Sequence, residues 1–181
     1  MFFGIMLVSY ILKCRKAIKR NIGIKLVSSL DKYEPVLSIG IVAKKLGITV
    51  QTVRLYEQEG LVLPFKAKNG HRLFSAHDLE RLQCVRKMIT ENKINIQGIK
   101  RIMSFIPCWE FKGGLDSQCR SCAAYYDAVG PCWAASNKGL KCRLEDCRSC
   151  AVYKIEFNCS KLKEIIFGHK KEDQNKRKDT L

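Results

Sequence analysis

Between Ser38 and Gly60 the chain reads SIGIVAKKLGITVQTVRLYEQEG, two short helical patterns with a glycine at the end of each. In the first, Ile39, Val42, Ala43 and Leu46 recur at i, i+3, i+4 and i+7, the spacing of one helix face. Ser38 suits the N-cap, because its hydroxyl can accept from a free backbone N–H of the first turn. Gly47 suits the stop, because it enters the left-handed region without a Cβ clash. The second pattern restarts at Thr49 as N-cap, turns Val50 and Val53 inward and ends at Gly60. Two short helices joined by a glycine-containing turn predict a helix-turn-helix, with Gln51, Thr52, Arg54 and Tyr56 on the outward face of the second helix.

The next stretch, LVLPFKAKNGHRLFS, excludes helix at Pro64 and places Asn69-Gly70 between apolar flanks, a hairpin signal. It predicts a two-stranded wing carrying Lys66, Lys68, His71 and Arg72. Ser75 then caps a third helix, with Asp78 placed to meet free N–H groups and Leu79, Leu82, Val85 and Ile89 as its buried stripe. Cys84, beside that stripe, reads as a small core residue. Asn95 caps a fourth helix with Ile99, Ile102 and Met103 facing in, and Pro107 ends it.

This order, SIGIVAKKLGITVQTVRLYEQEGLVLP followed by NGHRLFSAHDLERL and INIQGIKRIM, closely resembles the MerR family of bacterial transcription regulators over about residues 37–105. The resemblance implies a winged helix that binds double-stranded DNA as a homodimer on an inverted-repeat operator. It also implies RNA polymerase as a partner, since the family habit is to distort promoter DNA. By the same resemblance Arg54 and Tyr56 would contact DNA, and Lys66 and Arg72 would hold phosphates. Thr49, Gln51, Thr52, Lys68 and His71 complete the candidate DNA-binding set. Many family members continue into a long dimerisation helix, and Pro107-Cys108-Trp109 interrupts that course here. A dimer would then use the fourth helix, the cysteine segment or the later SKLKEIIFGH.

Charge agrees with a phosphate-rich partner. The chain has 33 Lys and Arg against 17 Asp and Glu, a formal charge of +16, and such an excess favours nucleic acid or an anionic surface. The opening MFFGIMLVSYIL is too short to span a bilayer, which takes about 20 apolar residues. Its charges follow the apolar run instead of preceding it, so it does not read as a secretory signal. An extra strand or helix, or upstream sequence included by a misplaced start, fits it better than a membrane anchor. These features point to a cytoplasmic protein without stable membrane insertion.

Eight of the ten cysteines lie from Cys108 to Cys159. They form a duplication: CWEFKGGLDSQCRSCAAYY and CWAASNKGLKCRLEDCRSCAVY each hold Cys-Trp, a glycine-bearing loop and Cys-x-x-Cys-x-x-Tyr. Residues 107–153 resemble the small bacterial domains called two-CW domains, a likeness of cysteine layout that implies little about chemistry. Cys-x-x-Cys lets two thiolates reach one metal from a tight turn. Cys119, Cys122, Cys147 and Cys150 could make one four-thiolate zinc site, and Cys108, Cys132 and Cys142, with Cys159 or His169, a second; equally, each unit could hold its own ion with three cysteines and an outside ligand. Zinc that holds the fold, an iron–sulfur cluster and a thiol–disulfide switch are the readings of this layout, and a soft-metal sensor is less favoured because the spacings do not match those of the family's metal or cluster sensors. Trp109 and Trp133 read as the cores of the two units.

The sequence therefore predicts a mainly α protein, a winged helix-turn-helix followed by a small duplicated, metal-stabilised cysteine module. Residues 1–35 form an apolar then basic extension, 36–106 the DNA-binding domain, 107–159 the cysteine module, and 160–181 a short helix and a charged, mobile tail. No catalytic His or carboxylate pattern accompanies the cysteines, so an enzyme is not expected. The expected function is a DNA-binding transcription regulator whose cysteine module binds metal or senses redox state. The alternatives are an architectural or excisionase-like protein with structural zinc, and a small redox protein tethered by a basic domain.

Overall fold

The computed structural model describes residues 31–127 and 129–157. The expectations for the apolar opening, for Cys159 and His169, and for the helix and tail after residue 159 lie outside those residues. In order, the elements are β1 (Leu37–Ser38), α1 (Ile39–Leu46), α2 (Val50–Gln58), β2 (Phe65–Lys66), β3 (Arg72–Phe74), α3 (Ala76–Thr90) and α4 (Ile96–Ser104). The cysteine segment adds 3₁₀ turns at Glu110–Lys112 and Cys132–Ala134 and four short helices. These are α5 (Ser117–Arg120), α6 (Ala123–Tyr126), α7 (Leu140–Arg143) and α8 (Ala151–Lys154).

Local chemistry sets the helix ends. Ser38, Thr49, Ser75 and Asn95 each accept a backbone N–H from the first turn that follows. Asp78 closes a capping box with Ser75. Gly47 ends α1 at φ 62°, a left-handed conformation that favours glycine. Val42, Ala43, Leu46, Val53, Leu82, Val85, Ile99 and Met103 are buried as the helix spacing requires, with Leu79, Ile89 and Ile102 packed against them.

The wing forms as expected, with Phe65 opposite Leu73, Lys66 opposite Arg72, and Gly70 at φ 79° in the turn. An unpredicted strand joins it: β1 pairs antiparallel with β3, giving the order β1-β3-β2. A two-residue strand has too little periodicity to be read from sequence. It ties the start of α1 to the wing and fixes the helix-turn-helix against the hairpin.

The core does not stop at Pro107. Trp133, Val152, Tyr153 and Phe157 join one cluster with Leu61, Val62, Leu82 and Ile99. Trp133 Nε1 donates to the carbonyl of Gly60, 2.7 Å away, at the end of α2. A Cβ on Gly60 would lie 2.7 Å from the Ala134 side chain, and its φ is +73°, so close packing and backbone both demand glycine there. The two tryptophans are consequently not equivalent. Trp133 is buried against the helix-turn-helix, while Trp109 is half-buried and packs edge-on to Tyr125, with ring centroids 5.5 Å apart. Trp133 packs on Tyr153 of its own unit and also reaches beyond it, its indole N–H bonding the Gly60 carbonyl just past α2.

His77 also lies in this seam, 2% exposed, with Nε2 3.2 Å from the Ile155 carbonyl. Burial, then the Arg81 charge, holds its pKa below the ordinary value. The unfolded chain takes up this proton near pH 6.5, whereas the folded chain resists it. Stability is therefore fully present above about pH 6.5 and falls as pH drops below it, until the folded ring protonates. Denaturant midpoints measured from pH 7.5 to 5 should decline in the native chain, and His77→Gln should flatten the part of that decline that His77 supplies.

Candidate functional site

Two surfaces merit attention, one on α2 and the wing and one among the cysteines. On α2, Gln51 and Arg54 are exposed and Thr52 is half-exposed. Thr49 and Thr52 are partly committed to the helix end: the Thr49 hydroxyl accepts from Thr52 N–H at 3.1 Å and lies 2.9 Å from the Thr52 hydroxyl. Lys66, Lys68 and His71 are exposed on the wing. Tyr56 departs from expectation, since it is 4% exposed and belongs to the core. It follows Val53 by three residues and so shares its inward face. Arg72 braces the wing, with Nε donating to Glu57 Oε2 on α2 at 2.5 Å.

The cysteines converge. Seven described cysteines are free thiols: Cys108, Cys119, Cys122, Cys132, Cys142, Cys147 and Cys150. Cys84 is buried in the α3 core and disulfide-bonded, so it stands apart from them. Cys108, Cys122, Cys132, Cys142, Cys147 and Cys150 line one cavity, closed on one side by Trp133, Val152 and Tyr153. Cys108, Cys119, Cys122 and Cys142 line a second, closed by Trp109 and Tyr125. The expected four-thiolate set does not share a cavity, because Cys119 opens on the second and Cys147 and Cys150 on the first. Among the described residues, no group of three or more Cys, His, Asp or Glu side chains is arranged to hold a metal ion.

Charge at the thiols is uneven. A hydrogen bond from the Cys132 thiol, helped by the Trp109 backbone and the Lys112 charge, draws Cys108 down to about 7. Cys132 moves the other way, since holding that bond and being buried both favour its protonated form. Burial raises Cys142. Lys138 Nζ donates to Cys147 Sγ at 3.2 Å.

The two copies of the repeat share one device. Trp109 meets Tyr125 at 74°, and Trp133 meets Tyr153 at 86°, each an edge-to-face pair of the Cys-Trp tryptophan with the Cys-x-x-Cys-x-x-Tyr tyrosine. Only the second pair sits against the helix-turn-helix and the root of the wing. Tyr153 Oη donates to Asp78 Oδ1 at 2.6 Å and accepts from Leu63 N–H at 2.9 Å. Arg148, between Cys147 and Cys150, donates to the Leu63 carbonyl and pairs with Asp78 Oδ2 at 3.1 Å. Its counterpart Arg120 is exposed. Leu63 immediately precedes Pro64 and the wing, and Gly60 ends α2. Neighbours of the cysteines thus grip the roots of both candidate DNA-contacting elements. Charge on Asp78, Arg81 and Arg148 hid this from the sequence, because charged residues read as solvated by default.

The model of the MerR HTH family regulatory proteins matches residues 37–106. Residues 37–106 are a MerR-family helix-turn-helix domain. HspR of Streptomyces coelicolor is 39% identical over 74 residues, 41% of this chain and 49% of that protein. The transcriptional regulator GlnR of Bacillus anthracis is 32% identical over 69 residues, 38% of this chain and 53% of its own. A ZntR homolog of Haemophilus influenzae is 44% identical over 50 residues, 27% of this chain and 37% of its own. The chain spans about half the length of the first two of these relatives. No helix among the described residues is long and apolar enough to cross a membrane.

The asymmetry of the repeat is testable by paired substitutions. Arg148→Ala should lower unfolding free energy by about 3 kcal/mol, the low end for removing one partner of a buried pair, since Asp78 keeps Ser75 and Tyr153. Arg120→Ala, at the matching exposed position, should change it by less than about 0.5 kcal/mol. Urea unfolding of both variants checks this.

Proposed function

We propose that this protein is a DNA-binding transcription regulator of the MerR type, in which the cysteine segment binds a thiophilic metal and conveys its state to the DNA-binding surface. One observation carries the reading: the residues beside Cys132, Cys147 and Cys150 hold the end of α2 and the root of the wing. A change of bonding at those sulfurs displaces Trp133 or Arg148, and either displacement moves an element that faces DNA.

In this reading α2 enters the major groove. Gln51 and Arg54 reach base edges or phosphates, Thr52 supports them, and Lys66, Lys68 and His71 neutralise backbone phosphates from the wing. Arg72 positions the wing through Glu57. A homodimer would place two such surfaces on an inverted-repeat operator, and RNA polymerase would be the partner that reads the distorted promoter. Such a protein works in the cytoplasm and acts by differential binding, without turnover. The formal charge of +16 supports a phosphate-rich partner. Zinc or an iron–sulfur cluster is the cofactor class that seven thiols suit.

Selected operator DNA and a salt series test the DNA half of the proposal. Arg54→Ala should weaken binding by about 1–3 kcal/mol, and Lys68→Ala should weaken binding to all sequences alike while reducing the salt slope by about one. Unchanged affinity and slope in both variants would remove α2 and the wing from the interface.

A further inference from the structure

We propose that Cys108 and Cys132 are a dithiol that hydrogen peroxide oxidises, giving a disulfide that joins the Cys-Trp pairs of the two repeat copies. This goes beyond the proposed metal binding, because it needs two sulfurs and no ion. Only its effect on DNA rests on the proposed regulator role.

The first observation is the contact. Cys108 and Cys132 hold the same position in the two copies, each directly before its tryptophan. The Cys132 thiol donates a hydrogen bond to the Cys108 sulfur, and both residues line one cavity. The copies thus bring their equivalent cysteines together, and a disulfide requires such proximity of two side chains.

The second observation is how the other thiols are engaged. Cys119 is hydrogen-bonded to Asp116, and Cys147 Sγ accepts from Lys138 Nζ at 3.2 Å. The first member of each Cys-x-x-Cys pair is therefore held by a neighbour other than its partner, whereas Cys108 and Cys132 hold each other. Among the described residues no three ligand groups converge. A disulfide asks for two.

The third observation is size and charge. The cavity that Cys108 and Cys132 line holds about 30 Å³. A water needs roughly 10–15 Å³ by the same measure, so the space admits hydrogen peroxide but not a bulky organic hydroperoxide or a glutathione disulfide. Lys112 lines this cavity as well, and a cation beside a thiol favours the attacking thiolate.

The chemistry balances. The Cys108 sulfur attacks one peroxide oxygen, the O–O bond breaks, and the departing hydroxide takes the Cys108 proton and leaves as water. The Cys132 sulfur then displaces the hydroxyl from the Cys108 sulfenic acid, and that hydroxyl leaves with the Cys132 proton as a second water. Two thiols lose two electrons, and one peroxide becomes two waters. The new bond acts directly on Trp133, the residue after Cys132. Trp133 Nε1 holds the Gly60 carbonyl, and Ala134 packs on Gly60. Cys108 follows Pro107 just beyond α4. The disulfide therefore ties the end of α4 to the contacts that seat the end of α2.

The test uses the full chain, reduced with a phosphine under argon and titrated with hydrogen peroxide. Free thiols are counted after denaturation, and linked peptides are sequenced by mass spectrometry. The expected result is loss of two thiols per peroxide consumed and a Cys108–Cys132 link within one chain. A link confined to other cysteines, or no link, overturns the proposal, and this readout needs no variant. Cys132→Ser, its fold checked by circular dichroism, should leave a sulfenic acid on Cys108 that dimedone labels. No labelling in the folded variant overturns Cys108 as the attacking thiol. Oxidation should change affinity for selected operator DNA by about fivefold or more, and Cys108→Ser should abolish that change. Unchanged affinity in the linked chain overturns the effect on DNA while leaving the regulator role intact. A reduced chain that binds no DNA overturns the regulator role, and peptide mapping still decides the disulfide.

Discussion

The guanidinium of Arg81 organises this molecule. It is 2% exposed and lies over the rings of Trp133 at 4.9 Å, Tyr153 at 4.5 Å and Phe157 at 5.9 Å. It donates to the Tyr153 carbonyl at 2.5 Å, and burial holds its pKa down. Desolvating a cation costs several kcal/mol, and removal of its compensating groups is strongly unfavourable. Each desolvated cation–π contact returns up to about 2 kcal/mol, and Asp78 lies one helical turn away. Nearly every compensating group comes from the cysteine segment. Helix α3 is therefore complete only when Trp133, Tyr153 and Phe157 are seated on it, which is why one hydrophobic cluster runs through both parts of the chain.

That arrangement gives the cysteine duplication a division of labour. The two copies keep the same aromatic pairing, but their surroundings differ. The second copy turns its tryptophan, tyrosine and arginine onto Gly60, Leu63 and Asp78, while the first faces the thiols and solvent. Contacts between the copies close the thiol cavities: Ala123 N–H donates to the Asn137 carbonyl at 2.8 Å, and Lys141 N–H to Gln118 Oε1 at 3.1 Å. A Cβ on Gly139 would meet the Gln118 carbonyl at 2.7 Å, so glycine is what permits this approach. One copy anchors and the other encloses.

Local features were legible in the sequence, and long-range ones were not. The caps at Ser38, Thr49, Ser75 and Asn95 and the Asn69-Gly70 turn depend on a few adjacent residues, so their chemistry could be read directly. Strand β1 depends on β3, more than thirty residues later, and carries no pattern of its own. Tyr56 was misplaced because a tyrosine on a recognition helix suggests DNA, although its spacing from Val53 already placed it inside. Asp78 and Arg81 were missed as buried groups and Arg148 as a half-buried one, since only the meeting of distant segments draws charged side chains into a core. The gathering of the thiols followed from their number, whereas which sulfurs share a cavity depends on packing that spacing does not encode.

The account stands on the continuity of that core, and equilibrium unfolding measures it most directly. With Trp109→Phe leaving Trp133 as the single tryptophan, fluorescence reports the seam and far-ultraviolet circular dichroism reports chiefly α1–α4. Urea unfolding of the protein as purified should give coincident transitions by both probes, because α3 cannot keep Arg81 buried without its partners. A fluorescence transition well below the loss of helix would contradict the account. It would mean that the cysteine segment leaves the DNA-binding domain without disturbing it.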